Sequence, residues 1–103
     1  MNTRSFLPDD NSILQAMAAD CGMDFSTEVP APDPKLISLF PEELARLHHA
    51  IPVLRTPFGI SIHISDPMDF ESLDLIRHRL GEDLSPVVTP KEIIDKAIDE
   101  IYK

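Results

Sequence analysis

Glycine, cysteine and cations are all scarce in this 103-residue chain, and each scarcity removes a class of function. There are three glycines. Gly22 and Gly81 fall where helices end and Gly59 falls in a hairpin turn, so none remains for a phosphate-cradling loop. Neither a P-loop nor a dinucleotide fingerprint can be assembled from these residues. The single cysteine, Cys21, cannot form an internal disulfide, which suits a reducing compartment. Nine lysines and arginines stand against eighteen acids, a formal net charge of −9. They form no basic stripe to release counterions, so nucleic acid is not an expected partner, and neither is an anionic membrane surface. No apolar run approaches the ~20 residues that a membrane helix needs. The first ten residues also lack the apolar run of a signal peptide. The expected location is the cytoplasm, without direct membrane insertion.

Hydrophobic residues at 43% are enough for a packed core, and a chain of this length buries roughly two-thirds of its unfolded surface on folding. The organisation expected is a lead-in over residues 1–11 and one domain over 12–103, helical over 12–50 and ββαβα over 51–103. Asp9, Asp10, Asn11 or Ser12 caps a first helix whose apolar face carries Ile13, Leu14, Met17, Ala18 and Cys21. Met23 and Phe25 then pack back as the chain turns. Three prolines make residues 26–34 an extended connector. Asp33 and Pro34 start a short helix running to Leu39, and Pro41 starts another over 42–49 with acids first and cations last.

Residues 51–56 and 60–64 read as strands joined through Pro57, Phe58 and Gly59 in an antiparallel hairpin. Ile60, Ile62 and Ile64 alternate with Ser61, His63 and Ser65, which predicts one buried and one wet face. A helix starts at either Asp66 or Asp69, turns Leu73, Ile76 and Leu80 to the core, and ends at Gly81. Residues 83–88 read as a third strand; if it runs parallel to the second, a right-handed crossover is the default. The segment Thr89-Pro-Lys-Glu92 reads as a capping box for a last helix with an apolar face of Ile93, Ile94, Ala97, Ile98 and Ile101. The expected fold is α+β (α/β): helices, then a β-β-α-β-α unit with a small three-stranded mixed sheet.

Catalytic chemistry is hard to find. Cys21 lies on an apolar helix face without a positioned base, as a buried structural thiol does. His48, His49, His63 and His78 show no zinc-site spacing. Ser, His and Asp residues occur without a nucleophile elbow, and the acids read as caps, first-turn residues and solvated faces. The reading is therefore a non-enzyme with no cofactor and no metal. One residue breaks the pattern. Leu75 faces away from Leu73, Ile76 and Leu80, beside Arg79 and near His78, and a leucine flanked by cations is a candidate partner contact. Leu75, Arg77 and Arg79 are the candidate partner-binding residues.

Three segments together carry a family resemblance: Phe40-Pro-Glu-Glu-Leu-Ala-Arg-Leu-His-His-Ala-Ile-Pro-Val-Leu54, Ile60-Ser-Ile-His-Ile-Ser-Asp-Pro-Met-Asp-Phe-Glu-Ser-Leu-Asp-Leu-Ile-Arg77 and Pro86-Val-Val-Thr-Pro-Lys-Glu-Ile-Ile-Asp-Lys-Ala-Ile-Asp-Glu-Ile-Tyr102. In order and spacing they resemble the N-terminal domain of the type II secretion and type IV pilus assembly ATPases. The first helix with Gly22-Met-Asp-Phe25 fits that family's opening, so the resemblance spans roughly residues 12–103. It implies a small α/β domain that docks a cytoplasmic motor onto the cytoplasmic domain of an inner-membrane platform protein. The ATPase itself belongs to a separate C-terminal domain. It also implies a second function class, because some members bind cyclic di-GMP through repeated R-L-G-x-x-L…G…L…Q stretches. This chain keeps a fragment of one, over residues 13–19, and Arg79-Leu-Gly81 echoes the triplet at a helix end.

Overall fold

The computed structural model describes residues 10–102. Its elements are α1 (Asp10–Asp20), β1 (Asp24–Phe25), α2 (Pro34–Leu39), α3 (Glu42–His48), β2 (Ala50–Thr56), β3 (Gly59–Ile64), α4 (Phe70–Leu80), β4 (Leu84–Val88) and α5 (Lys91–Ile101). The α+β class and the β-β-α-β-α order are those expected. The sheet, however, has four strands in the order β1-β4-β3-β2. The additional strand is β1, where Asp24 and Phe25 pair in parallel with Val87 and Val88. Two residues are too few to show a period of two, so this strand has no pattern to read.

Asp10 and Asn11 belong to α1 and not to a lead-in; the remainder of the expected lead-in, with the Asp9 cap, lies outside the described residues. Helix α1 turns Ala18 fully inward while Ile13 stays half exposed. Cys21 is half-buried and not buried as expected; its Sγ lies 3.7 Å from Met68 Sδ. The start of α4 is settled by Asp69, whose Oδ1 accepts from the Ser72 amide at 3.1 Å. Asp66 makes the turn before it, accepting from the Met68 amide.

Strands β2 and β3 form the antiparallel hairpin, with a bulge between Pro52 and Leu54, and β4 returns parallel to β3. Both prolines inside strands sit where a missing N–H costs little. Pro52 is in the edge strand beside its bulge, and the Val53 carbonyl next to it accepts from the Asp33 amide at 2.7 Å. In β4, the Thr89 amide reaches Ile64 of β3 and the Val88 carbonyl takes Ser26 on the other side. Alternation then turns Pro86 toward the outer edge, beyond the reach of β1.

The core gathers Phe40, Ala45, Ile51, Val53, Ile62, Ile76, Val88, Ile94 and Ile98. Helices α3 and α5 are also tied at their surfaces, through Arg46–Asp99 and His49–Asp95, both 2.8 Å. Such exposed pairs fix geometry more than they stabilise.

Two sequence expectations fail together, for one reason. His63 is not on a wet face; it is 4% exposed. Thr89 does not close a capping box; its Oγ1 lies 2.9 Å from His63 Nδ1, and Pro90 takes the N-cap position of α5 with no side-chain bond. On that side of the sheet Ile51, the cross-strand partner of His63, is fully buried as well, so the face is covered. A buried imidazole needs a partner more than a solvated helix end needs a cap.

Burial lowers the His63 pKa from its ordinary value, so the fold holds the ring neutral. A group whose folded pKa is depressed contributes stability that is full above its unfolded pKa, ~6.5 for histidine, and lost as pH falls below it. The urea midpoint is therefore expected to fall between pH 7.5 and 5.5, and His63→Asn to flatten that slope. Thr89→Val, which strands the imidazole, is expected to cost about 1–3 kcal/mol at neutral pH. A wild-type slope matched by His63→Asn would show that other groups control the response.

Candidate functional site

The exposed face of α4 carries the three residues that the sequence singles out; the structure puts Arg79 and Arg77 on different grooves, with Leu75 bordering both. Leu75 and Arg79 stand one turn apart and border a groove with Leu44, Leu47 and His48 of α3, floored by Phe40 and Ile76. Arg77 lies on the other flank, where its guanidinium bonds Asp74 at 2.9 Å. It faces a second groove, against the hairpin tip and β4. Leu75 is 54% exposed, as its position outside the core stripe predicts. Arg79 makes no ion pair among the described residues.

Three apolar side chains that sequence reasoning passed over stand beside these. Leu47 is 70% exposed on α3, Phe58 83% exposed at the hairpin tip, and Phe70 55% exposed at the start of α4. Phe58 carried a readable signal. In a two-residue connection between strands the second residue has no sheet face to join, and its side chain projects outward. Thr56 fixes the turn, its Oγ1 accepting from the Phe58 amide at 3.1 Å and donating to the Gly59 carbonyl at 2.8 Å.

Serine, histidine and aspartate do meet, at the junction of α3 and α4, but with the wrong polarity for a nucleophile. The Ser72 hydroxyl donates to Asp69 Oδ2 at 2.7 Å. Its only proton is thereby used, so His48 Nδ1, 2.8 Å away, is the donor to the Ser72 oxygen. The chain of bonds ends on the carboxylate, and the imidazole is not placed to take the serine proton. Ser72, through its hydroxyl and its amide, holds the Asp69 carboxyl below its ordinary pKa, with a smaller contribution from His48. The cluster caps α4. Among the described residues no three His, Cys, Asp or Glu side chains are grouped to hold a metal ion, and no helix is long and apolar enough to cross a membrane.

A sequence model of the MshEN domain matches residues 23–103, from the turn before β1 to the end of the chain. The chain belongs to the MshEN domain family. Helix α1 precedes the matched region. The structure of MshE with cdg (cyclic di-GMP) superposes with a TM-score of 0.80 at 22% identity, covering 97% of this chain and 73% of that one. The N-terminal domain of XpsE superposes in two crystal forms. One gives a TM-score of 0.75 at 20% identity over 93% of this chain and 68% of that one. The other gives 0.78 at 20% over 97% and 72%. At such identities the superpositions speak for the fold, helices and mixed sheet together. A search of curated proteins by sequence gave no match. An MshEN domain with this fold is the N-terminal domain type of type II secretion and type IV pilus assembly ATPases, as the sequence resemblance implied.

Proposed function

We propose that this MshEN domain is a non-catalytic interaction module that docks a type II secretion or type IV pilus assembly ATPase to its inner-membrane platform. It works in the cytoplasm, peripheral to the membrane through its partner, with residues 12–103 acting as one unit. The observation that carries the reading is the apolar groove between α3 and α4. Leu47 and Leu75 are both more than half exposed on adjacent helices, and buried Phe40 and Ile76 form the floor between them. Two large aliphatic side chains exposed side by side on a chain this acidic favour a protein partner over a nucleic acid or a lipid surface. Arg79 stands at the groove's rim and Arg77 on the opposite flank of α4, so Leu75 and Arg79 form the primary contact and Arg77 a peripheral one.

The test is a binding titration with the cytoplasmic domain of the platform protein. Leu75→Asp is expected to weaken binding by roughly tenfold or more, the effect of losing one anchor residue, while the circular dichroism spectrum is retained. Unchanged affinity in a folded variant would remove this surface from the reading.

A second reading is a cyclic di-GMP sensor, favoured by the match to MshE with that ligand. The remnant of the R-L-G stretch, residues 13–19, lies within α1, where Leu14 and Met17 border Pro90 and Lys91. Calorimetry against cyclic di-GMP at high micromolar concentration decides it: absence of heat removes the sensor, and saturable heat lost on Met17→Asp supports it.

A further inference from the structure

The groove on the other flank of α4 has the opposite electrostatic character from the one the sequence suggests for this helix. Phe58 and Phe70 stand at its two sides, with Leu84 and Pro86 between them. Its rim carries the carboxylates of Glu71, Asp74 and Asp83 against the single guanidinium of Arg77, which Asp74 already neutralises. The nearby Glu82 is matched by Arg55 in a paired contact of 2.9 and 3.0 Å, so Glu71 and Asp83 are left without ion-pair partners among the described residues. Two large apolar rings beside two unpaired carboxylates present a combined apolar and anionic surface.

The groove is also held in shape. The turn that carries Phe58 is closed by Thr56, and the next residue, Gly59, sits so close to β4 that an added Cβ would lie 2.6 Å from the Asp83 carbonyl oxygen. The Ile60 amide bonds that same oxygen at 2.8 Å. The aromatic wall is thus clamped to the start of β4, where Asp83 leads into Leu84, and an anchor that is already ordered loses little entropy on binding. The strand β4 is paired on its outer side only at Val87 and Val88, so the backbone at Leu84 opens into the groove without a neighbouring strand.

We infer that this groove is a second docking surface, and that its occupant is a cationic protein segment with one large apolar side chain. The apolar side chain sits between Phe58 and Phe70, and lysine or arginine residues on either side meet Glu71 and Asp83. The inference stands on this groove alone and does not depend on the platform as partner or on the α3–α4 groove.

The test is a nuclear magnetic resonance titration of the isotope-labelled chain with two short synthetic peptides. One is built of lysine and leucine around a central tryptophan; the other has glutamate in place of every lysine. The lysine peptide is expected to shift the amides of residues 58, 70, 71, 83 and 84, more strongly at low salt, and the glutamate peptide to leave them unmoved. Phe58→Ser, at an exposed tip, is expected to weaken binding roughly tenfold with the rest of the spectrum unchanged. The double charge reversal Glu71→Lys with Asp83→Lys is expected to transfer the preference to the glutamate peptide. Shifts scattered over the whole acidic surface, no binding, or an affinity indifferent to Phe58→Ser would each overturn the inference. So would shifts at these residues that grow with chain concentration in the absence of peptide, which would make a second copy the occupant.

Discussion

Gly59→Ala is expected to destabilise the domain by about 3 kcal/mol, while Gly81→Ala costs only about 1 kcal/mol. Both glycines have positive φ, +122° and +71°, so both substitutions incur backbone strain. Only at Gly59 does the new methyl meet something: the Asp83 carbonyl oxygen at 2.6 Å and its carbon at 2.8 Å. These are backbone atoms of the residue that leads into β4, which cannot swing aside as a side-chain end can. Relief requires the β2–β3 hairpin and β4 to separate, which breaks the 2.8 Å bond from the Ile60 amide to Asp83 and adds about 1–3 kcal/mol to the strain. At Gly81 nothing lies within 4 Å, and the strain stands alone. Urea denaturation of both variants measures the difference. Equal losses would show that strain governs both positions and that the contact with β4 yields easily.

The fold was legible wherever one physical rule acted alone. The Leu73, Ile76 and Leu80 stripe of α4, the isoleucine alternation of β3 and the broad apolar face of α5 each report burial through periodicity, and each holds in the structure. The failures came where two rules competed for one residue. Thr89 satisfies the capping-box pattern locally, but it also ends the β4 ladder, where its hydroxyl meets His63 across the strand pair. Sequence shows the first neighbour and hides the second, which is 26 positions away. His63 shares this explanation. Alternation identifies two faces of β3 but does not say that the polar one is buried too, as His63 and its neighbour Ile51 are.

The candidate site divides in the same way. Leu75 was visible because an apolar residue off the core stripe of a helix has few reasons to be there. The character of its surroundings was not. Arg77 reads as a free cation of the surface around Leu75, yet the fold gives its guanidinium Asp74, three positions earlier, and faces it toward the hairpin tip. The pairing of Phe58 with Phe70 across a groove depends on a hairpin and a helix start that only the folded sheet brings together.

The larger of the remaining effects is expected at Phe40. Phe40→Ala should cost about 3–5 kcal/mol, a large share of the roughly 5–15 kcal/mol that a domain of this size possesses. Phe40 is fully buried between α2 and α3 and floors the groove that Leu47 and Leu75 border. Its carbonyl accepts the Tyr102 hydroxyl at 2.6 Å, joining the helical half of the chain to the end of α5. This contact supplies an independent reporter, because Tyr102 is the chain's one tyrosine. Burial, with a smaller contribution from Glu42, raises its pKa from 10.0 to about 12. A group whose folded pKa is raised contributes stability that is full below the unfolded value, ~10, and lost as pH rises through the folded one. Phenolate absorbance should therefore show a midpoint near 12 in the native protein. In Phe40→Ala the midpoint should drop toward ~10, because the cavity admits water to the hydroxyl. Phe40→Leu keeps most of the volume and should retain most of both the stability and the shift. If Phe40→Ala loses stability while the tyrosine midpoint stays near 12, the side chain packs the core without shielding Tyr102. The junction between α3 and α5 would then be held by the Arg46–Asp99 and His49–Asp95 contacts instead.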